Sequence, residues 1–399
     1  MRILKVAPAY YPFQEKGGVV TKVSALARGL TQRGHVVTVL TADLGLSKYN
    51  GSRIAAERCK WGWRSWEDEI EAIYLSALGQ YRALTLNPGV IGFCRTSLRT
   101  FDLAHFYGLY DFLGPVVSYF CRRHHIPYIV EPMGMYRPID RNFRLKALWH
   151  RSIGHVFWLR AAQIIATSEM ELQELLEGDV PATKITVRYN GIDPPSYTSL
   201  PPKGTFRSKW GIRSEETLIL FLSRLIPRKG ADILIEAFAQ ACQESGRLVI
   251  AGPEGEPGYR AYLERCAREC RVESRVIFAG PLYETEKSAL LQDSDLFVLP
   301  SRYENFANAA AEAIAFGVPV IVTNSCGIRS LVDGQAGLVI DSDMGALVNA
   351  IRSLISDRAL YVRLREGCER VAQQLSWSRI TTEMERHYLR AMALANGTH

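Results

Sequence analysis

Short apolar runs alternate with helix-length amphipathic segments along all 399 residues of this chain, and that alternation leaves few architectures open. An apolar run of four or five residues between turn residues reads as a strand buried on both faces, and a helix joining two such strands makes them parallel. In the first half the strand candidates are residues 3–7, 36–41, 72–75, 103–106, 128–131, 163–167 and 185–189. In the second half they are 218–222, 248–251, 276–279, 296–299, 318–323 and 337–340. A single core rarely grows past roughly 250–300 residues, so a chain this long is expected to form two α/β domains of about 200 residues each. The proline-rich stretch DPPSYTSLPPKG, residues 193–204, reads as the linker. It separates an N-terminal Rossmann-like domain over 1–195 from a C-terminal one over 205–376.

Composition removes several classes. Apolar residues make up 47% and charged residues 22%, ordinary values for a soluble globular protein. No apolar run approaches the roughly 18 residues of a spanning helix. The opening MRILKVAPAYYP is broken by Lys5 and Pro8, so no signal peptide is expected. Eight cysteines lie scattered without C-x-x-C spacing, and His124-His125 beside Cys121 sits in RRHHIP at a helix end, where cations suit the dipole. Reduced thiols and a cytoplasmic location are the expectation.

Charge is uneven. Residues 1–195 hold 24 Lys and Arg against 17 Asp and Glu, and the remainder holds 24 against 24, so the net +7 belongs to the first half. Arg137, Arg141, Arg144, Lys146, Arg151 and Arg160 cluster with Trp149, Phe157 and Trp158 between 137 and 160. Such a basic amphipathic segment can lie on an anionic membrane surface, at roughly 1 kcal/mol per basic residue, or pack on the sheet with a solvated basic face. Trp61, Trp63 and Trp66 read as a tryptophan-rich hairpin in the core, with an interfacial anchor as the other reading. No nucleic-acid-binding motif accompanies the charge, so no polynucleotide partner is expected.

The chemistry concentrates in PSRYENFANAAAEAIAFGVP, residues 300–319. Glu304 precedes a helix and Glu312 lies inside it, with Asn305, Phe306, Ala307 and Asn308 at the junction. The first N–H groups of a helix have no intrahelical acceptor, and with the macrodipole they favour an anion. Carboxylates beside that point accept hydrogen bonds from hydroxyls. Anion plus polyol describes a sugar nucleotide, whereas a Glu pair alone is more often a dipole-favouring acid and a solvated neighbour. Arg224 and Lys229, in SRLIPRKG, put two cations after the strand at 218–222, at the end of a parallel strand where open α/β sheets bind ligands. Gly17-Gly18 lies between a strand and a helix and would let backbone approach a ligand closely.

These pieces, in this order, resemble the retaining glycosyltransferases of family 4, of the group 1 type that serves exopolysaccharide and lipopolysaccharide synthesis. The resemblance covers essentially the whole chain. It rests on Glu304-x7-Glu312, Arg224, Lys229 and Gly17-Gly18, with the ATSE run at 166–169, NGID at 190–193 and GVPVIVTNSCGIRSLVDGQAGLVI. It implies the GT-B fold, two Rossmann-like domains with parallel sheets facing across a cleft, and a last helix, about 377–395, returning to the first domain. It also implies a nucleoside diphosphate sugar donor, UDP- or GDP-linked, and a glycan or lipid-linked acceptor. Arg224, Lys229 and Glu304 would be catalytic. Gly17, Gly18, Gly280, Leu282, Asn305, Phe306, Ala307, Asn308 and Glu312 would bind the donor, Glu312 through the ribose.

No cofactor and no metal are expected. Of two Asp-x-Asp triplets, Asp293-Ser294-Asp295 precedes a strand, the wrong end for a ligand. Asp341-Ser342-Asp343 leads into a helix, where Ser342 or Asp343 would cap. One departure from the family pattern matters: after PYIVE, where many relatives place a histidine against the sugar, this chain has Pro132-Met133-Gly134-Met135, and backbone is expected to take over. An inactive sugar-nucleotide-binding scaffold and a sugar-nucleotide epimerase on the same fold are the competing readings.

Overall fold

The structure is a computed structural model describing residues 1–13, 17–46, 55–81, 84–137, 147–193, 200–242 and 246–396. Contacts divide the chain into two compact units, Met1–Asn190 with Trp377–His399, and Gly191–Ser376.

The first unit is built on nine strands: β1 (Arg2–Val6), β2 (Val36–Ala42), β3 (Ala56–Cys59), β4 (Gly62–Glu67), β5 (Ile70–Leu75), β8 (Leu103–Tyr107), β9 (Tyr128–Glu131), β10 (Gln163–Ala166) and β11 (Ile185–Val187). Two further strands, β6 (Gly79–Tyr81) and β7 (Leu84–Leu86), pair only with each other. The sheet order is β11-β10-β9-β8-β1-β2-β5-β4-β3. Pairing is parallel from β11 to β5, while β4 and β3 add an antiparallel edge. That edge is a correction to the all-parallel expectation. Its strands, AERC and GWRSWE, mix charged and polar residues with apolar ones and form no apolar run, so the signal used for the others is missing. The tryptophan hairpin divides its side chains. Trp61 packs edge-on against Phe93 with ring centroids 5.3 Å apart, Trp63 lies 4.2 Å under the Arg58 guanidinium, and Trp66 is 59% exposed.

Alternation along each strand builds a core on either face of the sheet. Leu4, Leu40, Ile73, Phe106, Val130 and Ile164 point to one side, where Phe93, Phe157 and Trp158 complete the packing. Ile3, Val39, Tyr74, Leu103, Ile129 and Ile165 point to the other. There they meet the first helix (Gly18–Thr31) and the closing helix (Trp377–Asn396) through Leu26, Leu30, Ile380, Met384 and Tyr388. Glu385 of the closing helix takes hydrogen bonds from Arg33 Nε and His35 Nε2, both at 2.8 Å. Of the basic segment, residues 138–146 lie outside the described residues. Beyond it Phe157 and Trp158 are buried, whereas Leu148 and Val156 are exposed.

The second unit carries six parallel strands, β12 (Leu218–Leu222), β13 (Arg247–Ala251), β14 (Val276–Gly280), β15 (Leu296–Leu299), β16 (Val320–Thr323) and β17 (Gly337–Ile340). Their order, β14-β13-β12-β15-β16-β17, reverses direction between β12 and β15. The first sheet reverses in the same way between β1 and β8. At such a point the neighbouring connections leave in opposite directions and open a crevice at the carboxyl ends of the strands.

Gly230 holds the two loops at the second crevice in register. Its φ is 74°, and a Cβ there would sit 2.3 Å from the Pro300 carbonyl oxygen. Gly230→Ala should destabilise the second unit by about 2–4 kcal/mol through left-handed strain and overlap with backbone. Chemical unfolding of the full chain checks this, and an unchanged midpoint would contradict it.

Candidate active site

The charged residues of the second unit gather beyond the carboxyl ends of β12 and β15, which are hydrogen-bonded neighbours. Lys229 closes a 3-10 turn, Pro227–Lys229, that is preset by proline and ended by left-handed Gly230. Its side chain is buried, and its Nζ forms an ion pair with Glu304 Oε2. The Glu304 backbone is fixed on both sides. Its N–H donates to the Ser325 carbonyl at 3.0 Å, and its carbonyl accepts from the Gly327 N–H at 2.8 Å. The Arg302 N–H donates to the Arg228 carbonyl at 2.9 Å, joining the Glu304 loop to the Lys229 turn.

The chain then enters the helix Asn308–Ala315 through Ala307, at φ 78° and ψ 61°. A left-handed alanine costs roughly 1–2 kcal/mol, strain of the kind kept where a loop must be aimed. Phe306 and Ala307 are buried, Asn305 is half-buried and Asn308 is exposed. Glu312 lies one turn into the helix, half-buried, with Lys287 Nζ 3.0 Å from Oε1. The sequence reading missed Lys287, which no local pattern marks because its partner is 25 residues away. Arg224 is exposed and in no ion pair among the described residues. Gly280 ends β14 with φ 73° and accepts from the Gly252 N–H at 2.8 Å, and Leu282 follows, half-buried. Thus Arg224, Lys229, Gly280, Glu304 and the start of the Glu312 helix all lie on one edge of one sheet.

In the first unit Gly17 caps the first helix at φ 81° and ψ −151°, a conformation that requires glycine, and Gly18 is the first helical residue. No side chain caps this end. A sealed set of polar groups lies in the same unit. Glu131, at the end of β9, pairs with Lys22 of the first helix through Oε1 and with Arg188 Nη2, at 2.7 Å, through Oε2. His105 Nε2 stands 3.5 Å from Oε2, and its Nδ1 is 2.8 Å and 3.0 Å from the hydroxyls of Tyr388 and Tyr107. Lys5 Nζ donates to the Tyr107 hydroxyl at 2.6 Å. Burial alone would push the Glu131 carboxyl up, but Arg188, Lys22 and His105 together outweigh it and hold it well below the usual carboxylate range. Burial pushes the His105 imidazole down to about 3 and, with Arg188 adding to it, the Lys5 amine down to about 7. After Glu131 the backbone is left-handed at Met133 (φ 55°) and Gly134 (φ 75°). The Gly134 N–H and the Thr167 N–H both donate to the Glu171 carboxylate.

Two family models together match most of the chain: Glycosyltransferase Family 4 over residues 16–195 and Glycosyl transferases group 1 over residues 202–371. The chain is a group 1 glycosyltransferase. An uncharacterized glycosyltransferase of Methanocaldococcus jannaschii is 26% identical over 96% of this chain and 97% of its own. Among solved structures, HepE of Anabaena in complex with UDP-glucose matches with a TM-score of 0.73 at 20% identity, over 97% of this chain and 99% of that one. WaaG, a glycosyltransferase involved in lipopolysaccharide biosynthesis, matches with a TM-score of 0.66 at 19% identity, over 96% and 98%. At these identities the structures establish the GT-B fold.

Both Asp-x-Asp triplets of the glycosyltransferase have structural partners. Asp293 accepts from the Gly204 and Phe206 N–H groups at 2.6 and 2.8 Å, and Asp295 pairs with Arg207 at 2.7 Å. Asp343, and not Ser342, caps the helix Met344–Ser356 by accepting from the Ala346 N–H at 2.8 Å. Asn324 donates to Asp341 at 2.7 Å. No group of His, Cys, Asp and Glu among the described residues is arranged to hold a metal ion, and none of the helices described is long and apolar enough to cross a membrane.

The buried His105 sets an acid limit. Between pH 6.5 and about 3 the unfolded chain binds a proton at this position that the folded one refuses, so stability falls as pH falls through that window. The slope from this group reaches about 1.4 kcal/mol per pH unit. Below about pH 4.5 Glu131 adds a second loss, because its folded pKa lies under the unfolded one. Asp111, whose buried carboxyl is pushed up to about 6, works in the opposite direction below that pH, so in thermal melts the parent should lose more stability between pH 7 and pH 4.5 than His105→Gln does. Parallel curves for the two proteins would contradict the assignment.

Proposed function

We propose that this glycosyltransferase moves a hexosyl group from a UDP- or GDP-sugar to a glycan or lipid-linked glycan of the cell surface, with retention and without a metal ion. The observation that carries this reading is the Lys229–Glu304 pair at the reversal of the second sheet, beside the helix that bears Glu312. Each charge of the pair satisfies the other. An arriving diphosphate takes over Lys229, and Glu304 is released to accept hydrogen bonds from hydroxyls of the transferred sugar. Arg224, exposed at the same edge, adds the second positive charge. Gly17 and Gly18, at the start of the first unit's first helix, offer backbone N–H groups to phosphate oxygens. Glu312 holds the ribose with Lys287 as its resting partner, and the segment from Gly280 to Leu282 receives the base. Asn305, Phe306, Ala307 and Asn308 line the sugar side with backbone.

The bond between the anomeric carbon and the diphosphate oxygen breaks with its electron pair leaving on that oxygen, where Arg224 and Lys229 stabilise the developing charge. The acceptor hydroxyl attacks from the same face, and its proton passes to the departing diphosphate. Fixed cations take the place of the Asp-x-Asp ion clamp, since both such triplets are committed elsewhere. The surplus positive charge of the first half suits a position against an anionic leaflet.

A panel of UDP-, GDP- and ADP-sugars, assayed for nucleoside diphosphate release with EDTA present, tests the donor and metal assignments together. Release from one donor is expected, and abolition by EDTA reversed by Mg²⁺ would overturn the metal-free reading. Lys229→Ala should lower kcat by at least 100-fold, about 2.7 kcal/mol of lost transition-state stabilisation. Turnover equal to the parent's would remove Lys229 from the mechanism.

A further inference from the structure

Glu131, Lys22, Arg188, Lys5 and His105 are each at most 5% exposed, yet nothing in the transfer chemistry above uses them. They span β1, β8 and β9, and so straddle the reversal of the first sheet between β1 and β8. One carboxylate lies among four basic side chains. Such a set is a poor way to gain stability, because well-packed apolar residues in place of a buried ion cluster are commonly as stable or more so. What it supplies is direction. Oε1 of Glu131 is committed to Lys22 and Oε2 to Arg188, so the carboxylate ties three chain segments at fixed angles. One is the start of the first helix, where Lys22 sits a turn after Gly18. Another is the segment leaving β9 through left-handed Met133 and Gly134. The last leaves β11 toward Asn190. Apolar contacts are non-directional, whereas the Lys22–Glu131 pair fixes the first helix at one point along its axis.

We propose that Glu131 is a positioning residue for glycosyl transfer: by clamping Lys22 and Arg188 it fixes the Gly17–Gly18 turn, which offers its backbone N–H groups to phosphate. This rests on the donor reading given above. It acts at a distance, through the helix, and does not touch substrate. A displacement of about 1 Å at a binding turn is enough to cost on the order of 100-fold, so loss of the clamp should weaken the diphosphate interaction even in a fully folded protein.

The test is the triple variant Lys22→Met, Glu131→Leu, Arg188→Met of the full chain, which removes both ion pairs together and leaves Lys5 on its Tyr107 hydroxyl partner. Its melting midpoint should equal or exceed the parent's. Its Kd for UDP or GDP, whichever the parent binds, should rise at least tenfold by titration calorimetry, with KM for the matching nucleotide sugar rising in step. A stable triple variant that binds like the parent would show the cluster to be structural only and would overturn the proposal. Should the triple variant fail to fold, Glu131→Asp decides: it keeps the charge but withdraws the carboxylate by one methylene. A fivefold or greater loss of nucleotide affinity at an unchanged melting midpoint supports the clamp, and unchanged affinity overturns it. A parent with no affinity for either nucleotide would overturn the donor reading itself and this role with it. A binding parent with an equally binding variant removes the role alone.

Discussion

Two parallel neighbours whose connections leave in opposite directions cannot close their own carboxyl ends, and both sheets of this glycosyltransferase meet that constraint with ion pairs. Between β12 and β15 the pair is Lys229 and Glu304, and around β1 and β8 it is Glu131 with Lys22 and Arg188. The two solutions differ in solvation. Glu304 keeps 22% of its side chain in contact with solvent, so a ligand can compete for Lys229, whereas Glu131 is fully buried and its partners cannot be exchanged. The first arrangement is suited to chemistry and the second to holding geometry.

The backbone around each pair follows from this. Gly230 must be glycine because β12 and β15 exit so closely, and Ala307 accepts left-handed strain so that a helix can start directly beyond Glu304. On the first sheet, Met133 and Gly134 turn left-handed immediately after Glu131, and Glu171 takes the Gly134 N–H that the turn would otherwise leave unpaired. Local penalties of this kind persist only where surrounding contacts fix the outcome.

Much of this was readable in the sequence. Parallel strands buried on both faces are written as apolar runs, and Leu218–Leu222 and Tyr128–Glu131 fall where LILFL and YIVE place them. The places of Arg224, Lys229 and Glu304 in the fold were legible because each follows such a run at its carboxyl end. The antiparallel edge was not, since β3 and β4 have no apolar face of their own to advertise. Neither was the role of Glu131. A charge at the end of a strand looks the same whether it meets solvent or a buried partner 57 residues away at Arg188. A fainter clue was Lys5 inside ILKVA and His105 inside LAHFY: a polar residue within a run buried on both faces needs a polar partner, although the run cannot say which.

The closing helix begins at Trp377, after the second unit is complete, yet it packs in the first unit's core through Ile380, Met384, Tyr388 and Ala391. The first unit therefore cannot finish folding as it emerges from the ribosome. About half the chain must still be made, which at 5–20 residues per second takes roughly 10–40 s. Through that interval the apolar surface that Ile380, Met384 and Tyr388 cover is open, and the Tyr388 hydroxyl is missing from His105. The nascent protein spends its synthesis with an apolar stripe open to chaperones, and its last helix acts as the latch that ends that exposure.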